Sequence, residues 1–195
     1  LQQQTAGGRI DNVAGKIQAQ QNVSLTSDTI NNSGVGSHIV AGEKLTANAS
    51  KVINAQTKDS IVLGGIDAKN IEINAQELDN QSGVIRASEN ASLNINTQLS
   101  NQLGSISSLN SLNIGTADKT LNLKNTDGEL LAKNQLNLKA NELVNNGKII
   151  SSIRNLQIDY RIGYLTTVRG NFLTASTGGG IQIDTEWSGE YEIEF

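Results

Sequence analysis

One phrase constrains this chain more than any other feature: an aliphatic residue, any residue, then Asn. It reads Ile10-Asp11-Asn12, Ile30-Asn31-Asn32, Val52-Ile53-Asn54, Leu78-Asp79-Asn80, Leu99-Ser100-Asn101, Leu123-Lys124-Asn125 and Leu143-Val144-Asn145. Successive copies start 20, 22, 26, 21, 24 and 20 residues apart. A repeat of this length is one supersecondary unit that cannot bury its apolar face alone, so it must stack on copies of itself.

The phrase extends into a frame. A Gly falls five residues after the first aliphatic and another aliphatic seven after, as in Ile10, Asn12, Gly15, Ile17 and in Leu78, Asn80, Gly83, Ile85. The copies starting at Leu99 and Leu123 keep the frame, the one at Leu143 is a residue shorter, and those at Ile30 and Val52 carry insertions. A second apolar pair follows in strict alternation: Val23-Ser24-Leu25, Ile71-Glu72-Ile73, Leu93-Asn94-Ile95, Leu112-Asn113-Ile114, Leu136-Asn137-Leu138 and Leu156-Gln157-Ile158. Alternation marks strands with one buried face. Each unit therefore reads as two or three short strands joined by bends. Gly is expected to supply positive φ at the bends, and the seven Asn of the phrase either point inward or cap the bends.

These features predict an all-β, right-handed parallel β-helix of about eight coils. A left-handed hexapeptide helix would keep a strict six-residue period, which these spacings do not. Stacked at ordinary strand spacing, eight coils span roughly 35–40 Å. Asn amides repeated at that spacing can bond along the stack as a ladder.

Composition agrees with an ordered, polar solenoid. Charged residues are 17%, hydrophobics 36%, and Pro is absent. Disorder ordinarily brings high charge and Pro. The net charge of −4 without a basic cluster argues against nucleic acid as a partner. Without Cys there is no thiol chemistry or Cys-zinc site. No apolar run reaches the 18 residues of a membrane span. The chain starts without Met and inside the repeat pattern, which predicts a segment of a longer repetitive protein.

Residues 1–159 read as regular repeats and 160–195 as a degenerate last coil with an aromatic-rich end. All six aromatics lie in that tail. Leu165, Thr167, Gly170 and Phe172 keep the frame's spacing, with Ile181-Gln182-Ile183 as the second strand. Trp187, Tyr191 and Phe195 are candidate cap residues for the open end of a solenoid. The same aromatics also suit a binding surface or the start of a further domain.

Catalysis on a β-helix calls for clustered carboxylates. Asp159, Arg161, Asp184 and Glu186 are the candidates, and outward positions on alternating strands are the favoured reading of them. His38, the single His, is expected as a solvated turn residue, because one His without Cys makes no typical zinc site. Asn125-Thr126-Asp127-Gly128-Glu129 has one Asp where calcium loops use several. No catalytic residue, metal or cofactor is therefore expected.

The strings Leu78-Asp79-Asn80-Gln81-Ser82-Gly83-Val84-Ile85-Arg86-Ala87 and Ile10-Asp11-Asn12-Val13-Ala14-Gly15-Lys16-Ile17 resemble the filamentous-haemagglutinin repeat. The resemblance covers residues 10–159 well and the tail poorly. It implies a structural and adhesive shaft of a large secreted, cell-surface exoprotein of a Gram-negative bacterium, exported by two-partner secretion. Adhesins and contact-dependent growth-inhibition toxins share such shafts. The implied partners are an outer-membrane transporter and a receptor, protein or glycan, on a host or neighbouring cell. The competing expectation is a carbohydrate-active β-helix enzyme, a polysaccharide lyase or hydrolase.

Overall fold

The computed structural model describes the backbone over residues 2–173 and 192–194, and side chains over residues 7–151 and 156–159. Twelve strands pair in parallel in one continuous sheet. They are β1 (Gln2–Asp11), β2 (Lys16–Ala19), β3 (Asn22–Asn31), β4 (His38–Ile53), β5 (Gly65–Asp79), β6 (Val84–Ser100), β7 (Ser105–Ser108), β8 (Ser111–Ile114), β9 (Asn122–Asn125), β10 (Glu129–Ala132), β11 (Gln135–Leu173) and β12 (Glu192–Glu194). The fold is an all-β parallel solenoid of about seven turns, with no helix among the described residues. The expected eighth coil, 165–186, falls partly outside the described residues; within them, Thr167, Val168 and Arg169 of β11 pair with β12.

Each turn carries three strand segments, and alternation turns one aliphatic set of each segment inward. On the first face Ile17, Ile39, Ile66, Ile85, Ile106, Leu130 and Ile149 stand in register from turn to turn. On the third face the opening residues of the phrase do the same: Ile10, Ile30, Val52, Leu78, Leu99, Leu123 and Leu143. On the second face Leu25, Ala47, Ile73, Leu93, Ile114 and Leu138 align. The fourth turn thus places Ala91 and Leu93 where Ile71 and Ile73 sit below, and Ile95 opposite Ala75. The alternating pair expected at Leu93 and Ile95 lies two residues further along the strand, because Ala91 occupies the first inward site.

The Asn of each phrase closes the third face and opens the bend to the first. Asn32, Asn54, Asn80, Asn101, Asn125 and Asn145 are fully buried, and Asn12 nearly so. Asn12 Nδ2 donates to Asn32 Oδ1 at 2.6 Å, and the pattern continues from Asn32 to Asn54, Asn54 to Asn80, Asn80 to Asn101 and Asn101 to Asn125, each at 2.7 Å. Asn125 passes it to Asn145 at 2.6 Å. The second N–H of each amide goes to a main-chain carbonyl: His38, Gly65, Val84 and Lys148 accept from Asn12, Asn32, Asn54 and Asn125 respectively. The side chains are therefore both buried and at the bends.

The frame glycines have a different function from the one expected. Positive φ falls on the residue before them: Ala14 (50°), Ser82 (49°), Leu103 (56°) and Asp127 (51°). The glycines themselves are needed for room. A Cβ on Gly83 would lie 1.8 Å from the Asn54 carbonyl oxygen and 2.5 Å from Asn80 Oδ1. Gly104 and Gly128 are hemmed in alike by the carbonyl of the preceding rung and the amide oxygen of their own. The bend can approach the ladder only if that residue has no side chain.

Two outcomes test this account. Asn80→Ala orphans the Asn54 donor and the Asn101 acceptor in a dry site, and should lower unfolding free energy by about 2–4 kcal/mol in urea titrations. Adjacent positions should respond with opposite signs: Ser82→Gly relieves a left-handed residue and should stabilise by about 1 kcal/mol. Gly83→Ala should destabilise by about 1–3 kcal/mol or more.

Candidate functional site

The bends after the ladder form one edge of the solenoid. Among the described residues seven large apolar side chains are exposed, and six belong to these bends: Val13, Val35, Ile61, Val62, Leu63 and Leu103. The longest bend, residues 55–64, accounts for the 26-residue spacing in the sequence. Its stem is fixed by main-chain bonds from Gln56 N to Gln81 O and from Lys58 N to Ser82 O, both 2.8 Å. The buried Thr57 accepts from Val84 N through Oγ1 at 3.1 Å. At the tip, Asp59 Oδ1 accepts the N–H groups of Ile61 and Val62, each at 2.8 Å. A fixed loop thus displays Ile61 at 92% exposure and Leu63 at 65%.

Where the first face passes to the second, a groove of about 450 Å³ crosses several turns. Gly42, the nearly buried Ala68 and Ala87, and Leu109, 61% exposed, are among its lining residues. Gly42 is obligatory, since a Cβ there would lie 1.9 Å from Gln20 O. Lys69, Arg86 and Asp67 are its charged lining residues. Lys69 lies between Glu43 (3.2 Å) and Glu89 (3.6 Å). The hydrogen bond to Glu43, then the charges of Glu43 and Glu89, holds its ammonium above the ordinary lysine range.

Arg86 belongs to a clip across three turns. Its Nε and Nη2 donate to the two oxygens of Asp67 at 2.6 and 2.5 Å, and Nη2 also reaches Gly64 O at 2.9 Å. His38 Nε2 meets Asp67 Oδ2 at 2.5 Å from the other side. His38 is not the solvated turn residue expected: it opens β4, is 6% exposed, and stands in register with Gly65 on the next turn. Both Asp67 oxygens are occupied, so the clip ties turns together and offers no free base.

The remaining sequence candidates divide plainly. Asn12, Asn32, Asn54, Asn80, Asn101, Asn125 and Asn145 are brought together as the ladder. Asp159 Oδ2 is paired with Lys119 Nζ at 2.5 Å. Asp184, Glu186, Trp187, Tyr191 and Phe195, and the side chain of Arg161, lie outside the described residues. Asn125 of the calcium-like string is a ladder rung, and Glu129 pairs with Lys148 at 3.2 Å. No group of three or more His, Cys, Asp or Glu able to hold a metal occurs among the described residues. Sequence reasoning missed the groove and the apolar edge. The run Ile61-Val62-Leu63 inside an insertion was the available signal for the edge; for the groove it was the small residue two positions after each first-face aliphatic, Ala41, Ala68 and Ala87.

The architecture defines a parallel β-solenoid protein whose sequence repeat is its structural turn. A model for a family of unknown function, DUF6562, matches residues 128–195, about a third of the chain. No curated protein and no solved structure matches it.

The loop tip carries a pH prediction. The N–H groups of Val62, then Ile61, hold the Asp59 carboxyl below the ordinary aspartate value of 3.8. A depressed carboxylate contributes its stabilisation above the unfolded-state pKa and loses it as pH falls through the folded-state value. The Ile61 and Val62 amides should therefore stay protected from exchange at neutral pH and lose protection below about pH 3.8, read by NMR hydrogen exchange.

Proposed function

We propose that the chain is a segment of a structural and adhesive shaft, of filamentous-haemagglutinin type, in a large secreted exoprotein of a Gram-negative bacterium. In this reading it works by presentation. A stiff stack holds a binding tip or toxin domain away from the producing cell, and catalysis is no part of it. The partners proposed are an outer-membrane transporter during export and a receptor, protein or glycan, on the opposing cell.

The observation that carries the reading is the ladder. Seven successive turns repeat one buried amide in one register. Such a design propagates with length and does not converge on a single centre. The resemblance of the repeat strings to filamentous-haemagglutinin shafts supports the same reading. The carbohydrate-enzyme alternative gains nothing from the described residues, since Asp159 is tied to Lys119 and Asp67 to Arg86 and His38.

The test uses the parent protein in its producing cell, probed with antibodies raised against this segment. Intact cells should label at the surface, and deletion of the cognate outer-membrane transporter should abolish labelling. Labelling that appears only after permeabilisation would refute the proposal.

A further inference from the structure

The outward amides of the second face form two columns that fail to meet. In the first, Asn94 Nδ2 donates to Asn74 Oδ1 at 2.7 Å and Asn74 Nδ2 to Asn48 Oδ1 at 2.9 Å. It stops at Asn94. On the next turn Ile114 stands opposite Leu93, and the residue after it is Gly115, which has no side chain to continue the column. The second column begins two residues back along the strand, where Asn137 Nδ2 donates to Asn113 Oδ1 at 2.7 Å. Asn113 stands in register with Ser92, so no amide lies below it. The break leaves Asn94 Oδ1 as an acceptor and Asn113 Nδ2 as a donor, each without a partner among the described residues. The Ser92 hydroxyl lies between them, and Ser111 precedes Asn113 on the same outward row.

We propose that this break is a subsite for a neutral glycan, in which adjacent sugar hydroxyls take the free donor and the free acceptor. The inference rests on the adhesive reading above and names the receptor class for one face of the shaft.

Hydrogen-bond chemistry selects hydroxyls. Each hydroxyl both donates and accepts, so two on one ring can satisfy an amide N–H and an amide oxygen together. Outward neighbours lie about 6.6 Å apart along a strand and about 4.8 Å apart between strands, so the four groups span roughly one sugar ring. The strands that carry them are anchored by Leu93, Leu112 and Ile114, all buried, so little ordering is left for binding to supply. Leu109, 61% exposed at the bend into this face, offers carbon to the C–H side of a sugar.

Charge selects a neutral ligand. Residues 90–117 contain no Asp, Glu, Lys, Arg or His, in a chain that is 17% charged. On the turns below, Glu72 is paired with Lys44 and Glu89 meets Lys69. Lys139 stands two turns above Asn94, beyond Gly115. Protein interfaces are anchored mainly by Trp, Tyr and Arg, and this stretch has none. One such subsite is weak, and a surface bearing many glycans gains by multiplicity.

The test presents the 195-residue chain to immobilised neutral oligosaccharides beside their sialylated and sulfated counterparts. At least one neutral oligosaccharide should retain it, equally at about 50 and 500 mM NaCl. Mild periodate, which cleaves the carbon–carbon bond between adjacent hydroxyls, should abolish retention when applied to the ligand. Asn113→Leu removes the donor and should weaken binding at least about tenfold. Ser92→Asn gives Asn113 Nδ2 an amide acceptor and should weaken binding as much without lowering the thermal midpoint. Gln98→Leu, on the third face, should bind as the wild type does. Retention by no neutral oligosaccharide overturns the proposal, as does retention only by charged ones that salt removes. Binding that survives periodate, or that Asn113→Leu and Ser92→Asn leave intact, overturns it too. These outcomes are read on the isolated chain, so they stand apart from the cell-labelling result that decides the shaft reading.

Discussion

Every turn of this solenoid is organised around an amide that cannot be left alone. A buried Asn without partners costs about 1–3 kcal/mol per unsatisfied group, whereas a satisfied one contributes roughly 1. The penalty for disorder therefore exceeds the reward for order, and it acts on register. Shifting one turn by a residue would remove an acceptor from the rung before it and a donor from the rung after it. The aliphatic ladders supply most of the burial, but apolar contacts are tolerant of small slips. The Asn column is not tolerant, and it lets sequence spacings from 20 to 26 residues yield one vertical alignment.

The same column dictates what stands next to it. The frame Gly follows at the point where the bend passes beneath the preceding rung's carbonyl, with no space for a carbon. Turn geometry then falls to the residue before Gly, which takes positive φ even where it is Ala, Ser or Leu. The longest insertion lies just beyond a rung. Residues 55–64 leave after Asn54 and return before Gly65, and the ladder passes from Asn54 to Asn80 as if they were absent. Length varies at another bend too, since residues 115–121 lengthen the link from β8 to β9, but the exposed apolar residues gather at the ladder edge.

Much of this was legible from residue order, because the fold is periodic and its period is printed in the sequence. The aliphatic of each phrase, its Asn and the aliphatic seven residues on all appear as aligned columns. What escaped was non-local. The role of Gly83 depends on a carbonyl 29 positions earlier, at Asn54. The placement of His38 involves Asp67 one turn away, so a lone polar residue beside a bend looked solvated. The slip at Leu93 and Ile95 arose because Ala91 is small enough to escape an aliphatic pattern yet fills an inward site. The groove brings together residues from several turns, and its periodic trace is the small residue two positions after each first-face aliphatic, Ala41, Ala68 and Ala87.

The direction of the amide columns has a consequence for length. In the buried ladder each Asn donates toward the C-terminal end. On the outer surface the sense is reversed: Asn90 donates to Asn70, Asn110 to Asn90, Asn134 to Asn110, and likewise Asn94 to Asn74 and Asn137 to Asn113. Aligned peptide dipoles in an α-helix sum to a charge at each end. Here one column polarises up the stack and its neighbours down it, so their fields oppose. In a stack wired this way the end charge left by one column is opposed at each end by that of its neighbours, however many turns are added.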